Sequence, residues 1–426
     1  MGIKGLMKLI KTFAPDSISD KDYSSYENMK LAIDMPLLIY KFVIAIRNRG
    51  QDLTNKQGKI TSHIYGILNK FINMLKYGSI PVPVFDGEPP VIKKETLLDR
   101  KNKKEQALSK LHSLSDDSSD DKEKIKLYKR SYYITNEHYR DIKTLIKLLG
   151  FVVVDAPQEA DAQCAALNIS GFVDGVVSED MDTLVFGAST MIRNFSNRNS
   201  VIEIDLNKLL SGFDISFDQF IDISIILGSD YCKCIKGISP VDVVNFYKKT
   251  GNIKKFVEHL ENINSSLIHS GKKPKYFIPP DFFDRWFQAK QYYQHVKVKH
   301  PDYFNNVVWN KPDFDGLFKF LCIDNGFDES KTRKQLNYIL SRYNYYIKHN
   351  SLNIDKSIIS SQSAGFNNKF NKSFHNYYSN SFYSSNNNKF NNNKFNNNKF
   401  NNNKFYPSFN NLNYQFDNSK FSHRSF

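Results

Sequence analysis

Cysteine is scarce: the 426-residue chain holds four, Cys164, Cys232, Cys234 and Cys322. That excludes a disulfide-stapled secreted scaffold and fits a reducing, intracellular compartment. No stretch reaches the ~18–20 consecutive apolar residues that cross a bilayer, so no membrane partner is expected. The opening MGIKGLMKLIKTF is basic and amphipathic, but it lacks a long apolar core and a small-residue cleavage site, and Asp16 and Asp20 follow soon after. A signal peptide is therefore not expected. Zinc is equally short of ligands, because Cys232-Lys233-Cys234 has no second cysteine pair or nearby His to complete a site. Cys164, within Gln163-Cys164-Ala165-Ala166-Leu167, reads as a buried helix residue, the usual fate of a free thiol.

Positive charge is what the chain has in excess. Lys and Arg number 59 against 44 Asp and Glu, a formal net charge of +15. Clustered cations gain affinity for nucleic acid by releasing its condensed counterions, although a basic surface that serves only solubility gives the same count. Composition changes near residue 350. Beyond it Asn, Ser, Phe and Lys dominate, and Asn-Asn-Asn-Lys-Phe repeats four times, ending at Phe390, Phe395, Phe400 and Phe405. Residues 351–426 read as a disordered, low-complexity tail. The tail carries nine Lys and Arg and two Asp, so the first 350 residues stay basic without it. Phe and Lys at five-residue spacing can stack on unpaired bases and touch phosphates, each stacked base contributing about 1–3 kcal/mol. The simpler origin is a drifting repeat in an AT-rich genome.

In the body, short apolar runs alternate with longer helical patterns, as in an α/β fold with a largely parallel sheet. Strands are expected at Leu31 to Ile33, Val82 to Phe85, Phe151 to Val154 and Val173 to Val177. A helix precedes the third, since Tyr139, Ile142, Leu145, Ile146 and Leu149 share one face and Gly150 stands where a C-terminal cap belongs. Residues 223–350 read as mostly helical, with loops around Gly271 to Pro280 and Asn310 to Asp315.

The acids fall in a telling pattern. Asp34, Asp86, Glu159 and Asp180 each lie at or just beyond the C-terminal end of an expected strand, the edge where open α/β sheets place their sites. Asp161 and Asp182 add carboxylates two residues further along, and Asp230 follows in Leu227-Gly228-Ser229-Asp230-Tyr231. Any one of them alone is more often a helix N-cap or a solvated loop residue. Converging, they repel and raise one another's pKa unless a cation compensates. Oxygen ligands without His or Cys favour hard ions, Mg²⁺ or Mn²⁺. Two such ions about 4 Å apart would activate a water, orient a scissile phosphate and stabilise its leaving oxygen, so phosphodiester hydrolysis is the natural chemistry.

After Asp86 comes Gly87-Glu88-Pro89-Pro90 and then a Lys/Arg-rich run, Val91 to Leu111, without Gly or Pro, which should be helical. Lys93 and Arg100 are seven residues apart, close to two turns, and Lys104 follows on a similar face. Cations above a carboxylate cluster can draw a phosphate in and offset charge in the transition state; without the acids, a solvated basic face is the better reading. Ser113 to Asp121 interrupts this helix before another begins at Lys122, which carries Lys129 and Arg130 as further candidate DNA contacts. A two-helix flap is expected.

These residues resemble the flap endonuclease family of structure-specific 5′ nucleases. The resemblance is carried by Met1-Gly2-Ile3-Lys4-Gly5-Leu6, the Asp34…Ile39-Tyr40…Arg47 block, Val84-Phe85-Asp86-Gly87-Glu88-Pro89-Pro90, Asp155-Ala156-Pro157-Gln158-Glu159-Ala160-Asp161-Ala162, Glu179-Asp180-Met181-Asp182 and Leu227-Gly228-Ser229-Asp230-Tyr231-Cys232, in family order. It runs almost gaplessly to about Lys254 and more loosely to about Arg342. It implies a PIN-like α/β core (1–222) with a helical arch at about 91–135 threaded by the 5′ single strand, and a helix-hairpin-helix-like and helical DNA-binding region (223–350). The implied metal ligands are Asp34, Asp86, Glu159, Asp161, Asp180, Asp182 and Asp230, holding two Mg²⁺. Lys93 and Arg100 would contact the scissile phosphate and, with Asp182, form the catalytic set. Tyr40 would stack on a base at the junction, Arg47 would lie near the flap strand, and Gly2, exposed by loss of Met1, would tuck near the active site. The element Ile235-Lys236-Gly237-Ile238-Ser239-Pro240 would grip duplex backbone through its amides and a K⁺ ion.

Several positions depart from the family. Ser239 occupies the usual second Gly, where a forced positive φ would cost on the order of 1–2 kcal/mol. Val241 and Asp242 replace a basic pair, which weakens duplex grip unless the tail compensates. Asp161 replaces Glu, shortening one ligand by a methylene, and Lys70, expected to touch DNA, replaces Arg and gives up bidentate contact. No Gln-x-x-Leu-x-x-Phe-Phe motif occurs in the tail, so sliding-clamp recruitment is not expected. The partner implied is branched or flapped DNA, bound by a monomer and cut at a single-strand/double-strand junction; the resemblance implies the nucleus, with the cytoplasm as the alternative. Nick, bubble and four-way-junction nucleases share this site, and some 5′ exonuclease activity is expected; a silent junction binder is the reading from another class. The short spacer between Asp86 and Glu159 disfavours repair nucleases with a very long one.

Overall fold

The computed structural model describes residues 2–45, 53–55, 57–113, 121–195, 200–304, 310–348 and 415–416. Seven strands form one sheet: β1 (Ile18–Lys21), β2 (Lys30–Asp34), β3 (Ile80–Phe85), β4 (Val154–Asp155), β5 (Gly175–Val177), β6 (Thr190–Arg193) and β7 (Val201–Asp205), in the order β1-β7-β6-β5-β2-β3-β4. The pairs among β2 to β6 are parallel, and β7 runs antiparallel to both β6 and β1. The fold is thus the expected mostly parallel α/β sheet flanked by helices. The strand order reverses beside β2, with β3 on one side and β5 on the other, so the C-terminal ends of β2, β3 and β5 flank a switch point.

Strand parity divides the core. Leu31 and Ile33 of β2 join a cluster with Ile39, Ile67, Phe71, Ile142 and Ile339, from helices Met35–Ala45, Ser62–Lys76, Asn136–Leu148 and Glu329–Lys348. Ala32, of opposite parity, lies outside that cluster, and helix Ala160–Ile169 packs on β2, β3 and β5. Asp34 shares the parity of Ala32 and so belongs with the helix that carries Asp161.

β3 reads Ile80-Pro81-Val82-Pro83-Val84-Phe85, all buried. The Phe85 carbonyl accepts from the Ala156 amide beyond β4, so Pro81 and Pro83, of the same parity, face that side and offer it no donors. This explains why the expected strand Phe151 to Val154 is reduced to Val154–Asp155. The helix before it is as expected. Thr135 and His138 form a capping box, and Gly150, at φ 82°, closes the other end, its amide bonding to the Lys147 carbonyl and the Phe151 amide to that of Ile146. β1, β6 and β7 were not expected; their short, polar-interrupted sequences lack a continuous apolar run.

The arch is built from helix Lys94–Ser113, entered by a turn at Val91–Lys93, and helix Asp121–Ser131 packed along it. The region after residue 223 is helical, including Phe217–Leu227, which crosses the expected boundary, then Pro240–Thr250, Ile253–His269 and Phe282–Gln294. A two-residue strand, β8 (Lys297–Val298), pairs in parallel with β9 (Gln415–Phe416). Arg47 and the remainder of the 351–426 tail, with its Phe repeat, lie outside the described residues. Among the described residues no helix is long and apolar enough to cross a membrane.

At the hairpin element one expectation is corrected. Ser239 is extended, at φ −76°, and serves as N-cap of helix Pro240–Thr250, its hydroxyl accepting from the Asp242 amide at 3.1 Å. The residue with positive φ is Gly237, where a Cβ would stand 2.0 Å from the Lys275 carbonyl oxygen. Serine at 239 is therefore stabilising. Ser239→Ala is expected to lower unfolding free energy by about 1 kcal/mol and Ser239→Gly by only a few tenths. Urea denaturation checks this, and a stabilised Ser239→Gly would restore the strain reading.

Candidate active site

The sheet's switch point collects the acids. Asp34 ends β2, and its Oδ1 accepts from the Leu37 amide at 3.3 Å. Ser178, just past β5, donates to Asp34 Oδ2 and lies 3.4 Å from Asp161 Oδ1 as well, while Thr183 donates to that same Asp161 oxygen at 3.0 Å. Asp86, one residue past β3, accepts from the Ala160 amide at 2.8 Å and so tethers the helix that begins beside Glu159. The outer part of Asp86 is exposed. Asp180 accepts from the Asp182 amide at 3.2 Å. Gly2, at φ 80°, lies against this pair: a Cβ there would fall 2.0 Å from Asp180 Oδ1 and 3.1 Å from Asp182 Oδ1.

The mutual electrostatics show that these side chains share one space. Burial, then the charges of Asp86 and Asp180, push Asp34 up to about 7. Burial, then Asp34, Asp180 and Asp182, hold Asp161 well above the usual carboxylate range, and burial followed by Asp180, Asp230 and Glu159 does the same to Asp182. Against them stand two cations of the arch. Lys93 bonds Glu159 Oε1 and lies 3.3 Å from Asp230 Oδ2; Arg100 donates to Asp230 Oδ1 at 2.5 Å. Burial alone would lower the Lys93 pKa, but the charges of Glu159 and Asp230 reverse that and raise it. Thr96 donates to the Asp230 carbonyl at 2.6 Å, fixing the arch base to the same loop.

The other candidates are placed differently. Tyr40, half-buried on helix Met35–Ala45, lies within electrostatic reach of Arg100. Lys104 packs over the Tyr133 ring at 4.9 Å, and Lys129 and Arg130 lie on the second arch helix. Lys70 does not join this surface. It is buried, its ammonium donates to the Phe195 carbonyl and lies 4.4 Å from that residue's ring centroid, and burial foremost lowers its pKa to about 7. Two residues were missed as site members. Tyr231 and Tyr292 both donate to Glu159 Oε2, and burial first, then the charge of Glu159, pushes both phenols far up, so they remain donors. Tyr231 stood beside Asp230 in a quoted motif; Tyr292, 133 residues from Glu159, left no sequence signal.

The donor set fits a hard divalent cation. Asp182 Oδ1 is buried without a hydrogen-bond donor, and the ligands around it are all carboxylate oxygens. Among the described residues no three His, Cys, Asp or Glu side chains are yet arranged to hold an ion. The ammonium of Lys93 supplies part of the charge that offsets these carboxylates.

Acids at the switch edge of a parallel sheet beneath a basic arch define a nuclease. Comparison with known proteins agrees. The XPG N-terminal domain matches residues 1–107 and the XPG I-region matches residues 150–230. Flap endonuclease 1 of Micromonas commoda is 38% identical over 341 residues, covering 79% of this chain and 85% of that protein; that of Zea mays is 38% identical over 352 residues, covering 81% and 88%. Among solved structures, the catalytic core of Rad2 in complex with DNA substrate is similar at a TM-score of 0.62 and 25% identity, covering 79% of this chain and 100% of that one. Flap endonuclease-1 from Methanococcus jannaschii is similar at 0.58 and 29%, covering 78% and 98%. The chain belongs to the flap endonuclease family.

Two outcomes follow from the geometry. In EDTA, the folded protein keeps protons on Asp34, Asp161 and Asp182 that the unfolded chain has released above about pH 4. The folded state then binds more protons than the unfolded one, so stability falls as pH rises from about 4 through about 7. Thermal melts across that window should show the decline, and Asp182→Asn should flatten it. Separately, Gly2→Ala should lower nuclease activity about 10²-fold by displacing Asp180, with the melting midpoint nearly unchanged; full activity would place the amino terminus outside the site.

Proposed function

We propose that this chain is a structure-specific 5′ flap endonuclease, with some 5′ exonuclease activity, that hydrolyses a DNA phosphodiester at a single-strand/double-strand junction in replication and repair. The observation that carries the reading is the convergence of Asp34, Asp86, Glu159, Asp161, Asp180, Asp182 and Asp230 on one switch point under Lys93 and Arg100. The names of its relatives support the flap substrate. These seven carboxylates would hold two Mg²⁺, with Mn²⁺ as a substitute, and the ions when bound would lower the pKa of a water and polarise the phosphate. Lys93 and Arg100 would take the scissile phosphate's oxygens and offset charge that builds on them. Tyr40 supplies an aromatic face beside Arg100 on which a junction base can stack. Gly2 leaves Asp180 and Asp182 room to converge.

The chain is read as a nuclease core (1–222) with its arch at about 91–135, a helical DNA-binding region (223–350) and a tail (351–426). Gly237 and its neighbours would grip duplex backbone, with K⁺, and Lys104, Lys129, Arg130 and Arg47 would line the path of the single strand. The chain would act as a monomer in the nucleus, without recruitment through a sliding-clamp motif.

A cleavage assay on flap, nicked and four-way DNA tests the reading. With Mg²⁺ the flap should be cut fastest, EDTA should abolish cutting, and Asp182→Ala should bind flap DNA with affinity within a few-fold of wild type while losing at least about 10²-fold in rate. A preference for the four-way substrate would make the chain a junction resolvase, and binding without cutting in every lane would make it a silent junction binder.

A further inference from the structure

Glu159 is buried, and its two carboxylate oxygens are engaged differently. Oε2 accepts from the hydroxyls of Tyr231 and Tyr292, the latter at 3.2 Å, whereas Oε1 accepts from the Lys93 ammonium. A carboxylate oxygen offers two lone-pair directions, so two phenols saturate Oε2 and leave one direction of Oε1 beyond Lys93. Tyr231 comes from the Asp230 loop. Tyr292 comes from helix Phe282–Gln294, beyond both matched family regions. Its ring is held against Tyr231, 4.9 Å between centroids, and Phe186, 6.1 Å, so packing aims the hydroxyl.

Resting on the nuclease reading above, we propose that Tyr292 is a positioning residue that fixes the rotation of the Glu159 carboxylate, turning Oε1 toward the ion site and Lys93. It transfers no proton. The last torsion of a glutamate is broad, so without a fixed donor the two oxygens exchange places readily. Tyr292, acting with Tyr231 on the same oxygen, removes that freedom, and through it the helical region beyond residue 280 takes part in shaping the reaction centre. Donors that orient a metal-ligating carboxylate typically cost about 10- to 100-fold in ion affinity or activity when removed.

Tyr292→Phe keeps the ring and removes only the hydroxyl. In the full chain without DNA, Mn²⁺ titration followed by electron paramagnetic resonance should show affinity reduced about tenfold. On flap DNA with Mg²⁺, kcat should fall about tenfold with KM for DNA unchanged, and the melting midpoint in EDTA should stay near that of wild type. Gln291→Ala, exposed on the same helix, should leave all these values unaltered. Wild-type Mn²⁺ affinity in Tyr292→Phe overturns the proposal, as does a rise in KM alone, which would make Tyr292 a DNA contact. Because Mn²⁺ binding is read without DNA, a wild-type chain that cuts no substrate would defeat the nuclease reading while the positioning result still stands.

Discussion

The structure depends on a repulsion held in check. Seven carboxylates are brought to one edge of the sheet by backbone geometry, and they tolerate each other only because protons, arch cations or bound ions dilute their charge. This arrangement disfavours folding and favours chemistry. An apolar core of four helices against one face of β2 and β3 holds the edge together at that cost. Lys93 and Arg100 therefore have two duties, since the groups that would meet a phosphate also calm the acids before it arrives.

The arch is secured through its base. Lys93, Thr96 and Arg100 all reach Asp230 or Glu159, and Glu95 pairs with Lys233 and with Arg285 at 2.7 Å. Farther out the arch buries little beyond Ala107 and Leu127. Apolar burial is thus concentrated at the seam between the two arch helices.

Much of the site was legible because its signal is positional. A carboxylate after each parallel strand needs only the strand pattern to be noticed, and Asp34, Asp86 and Asp180 fell where that pattern put them. The helix ending at Gly150 was equally plain, because period and cap agreed. What stayed hidden depends on partners distant in sequence. The shortening of β4 follows from prolines 71 and more residues earlier; burial of Lys70 follows from the Phe195 carbonyl 125 residues later. Ser239 departs from expectation for another reason: its place in the motif suggests a positive φ, whereas its hydroxyl caps a helix.

Asp86 stands apart from the other acids. It alone receives the first amide of the helix that carries Asp161, and so joins the end of β3 to that helix across 74 residues of chain. A fastening that would also hold an ion cannot be retuned freely. A substitution that removes its carboxylate also removes the bond that ties this helix to the end of β3.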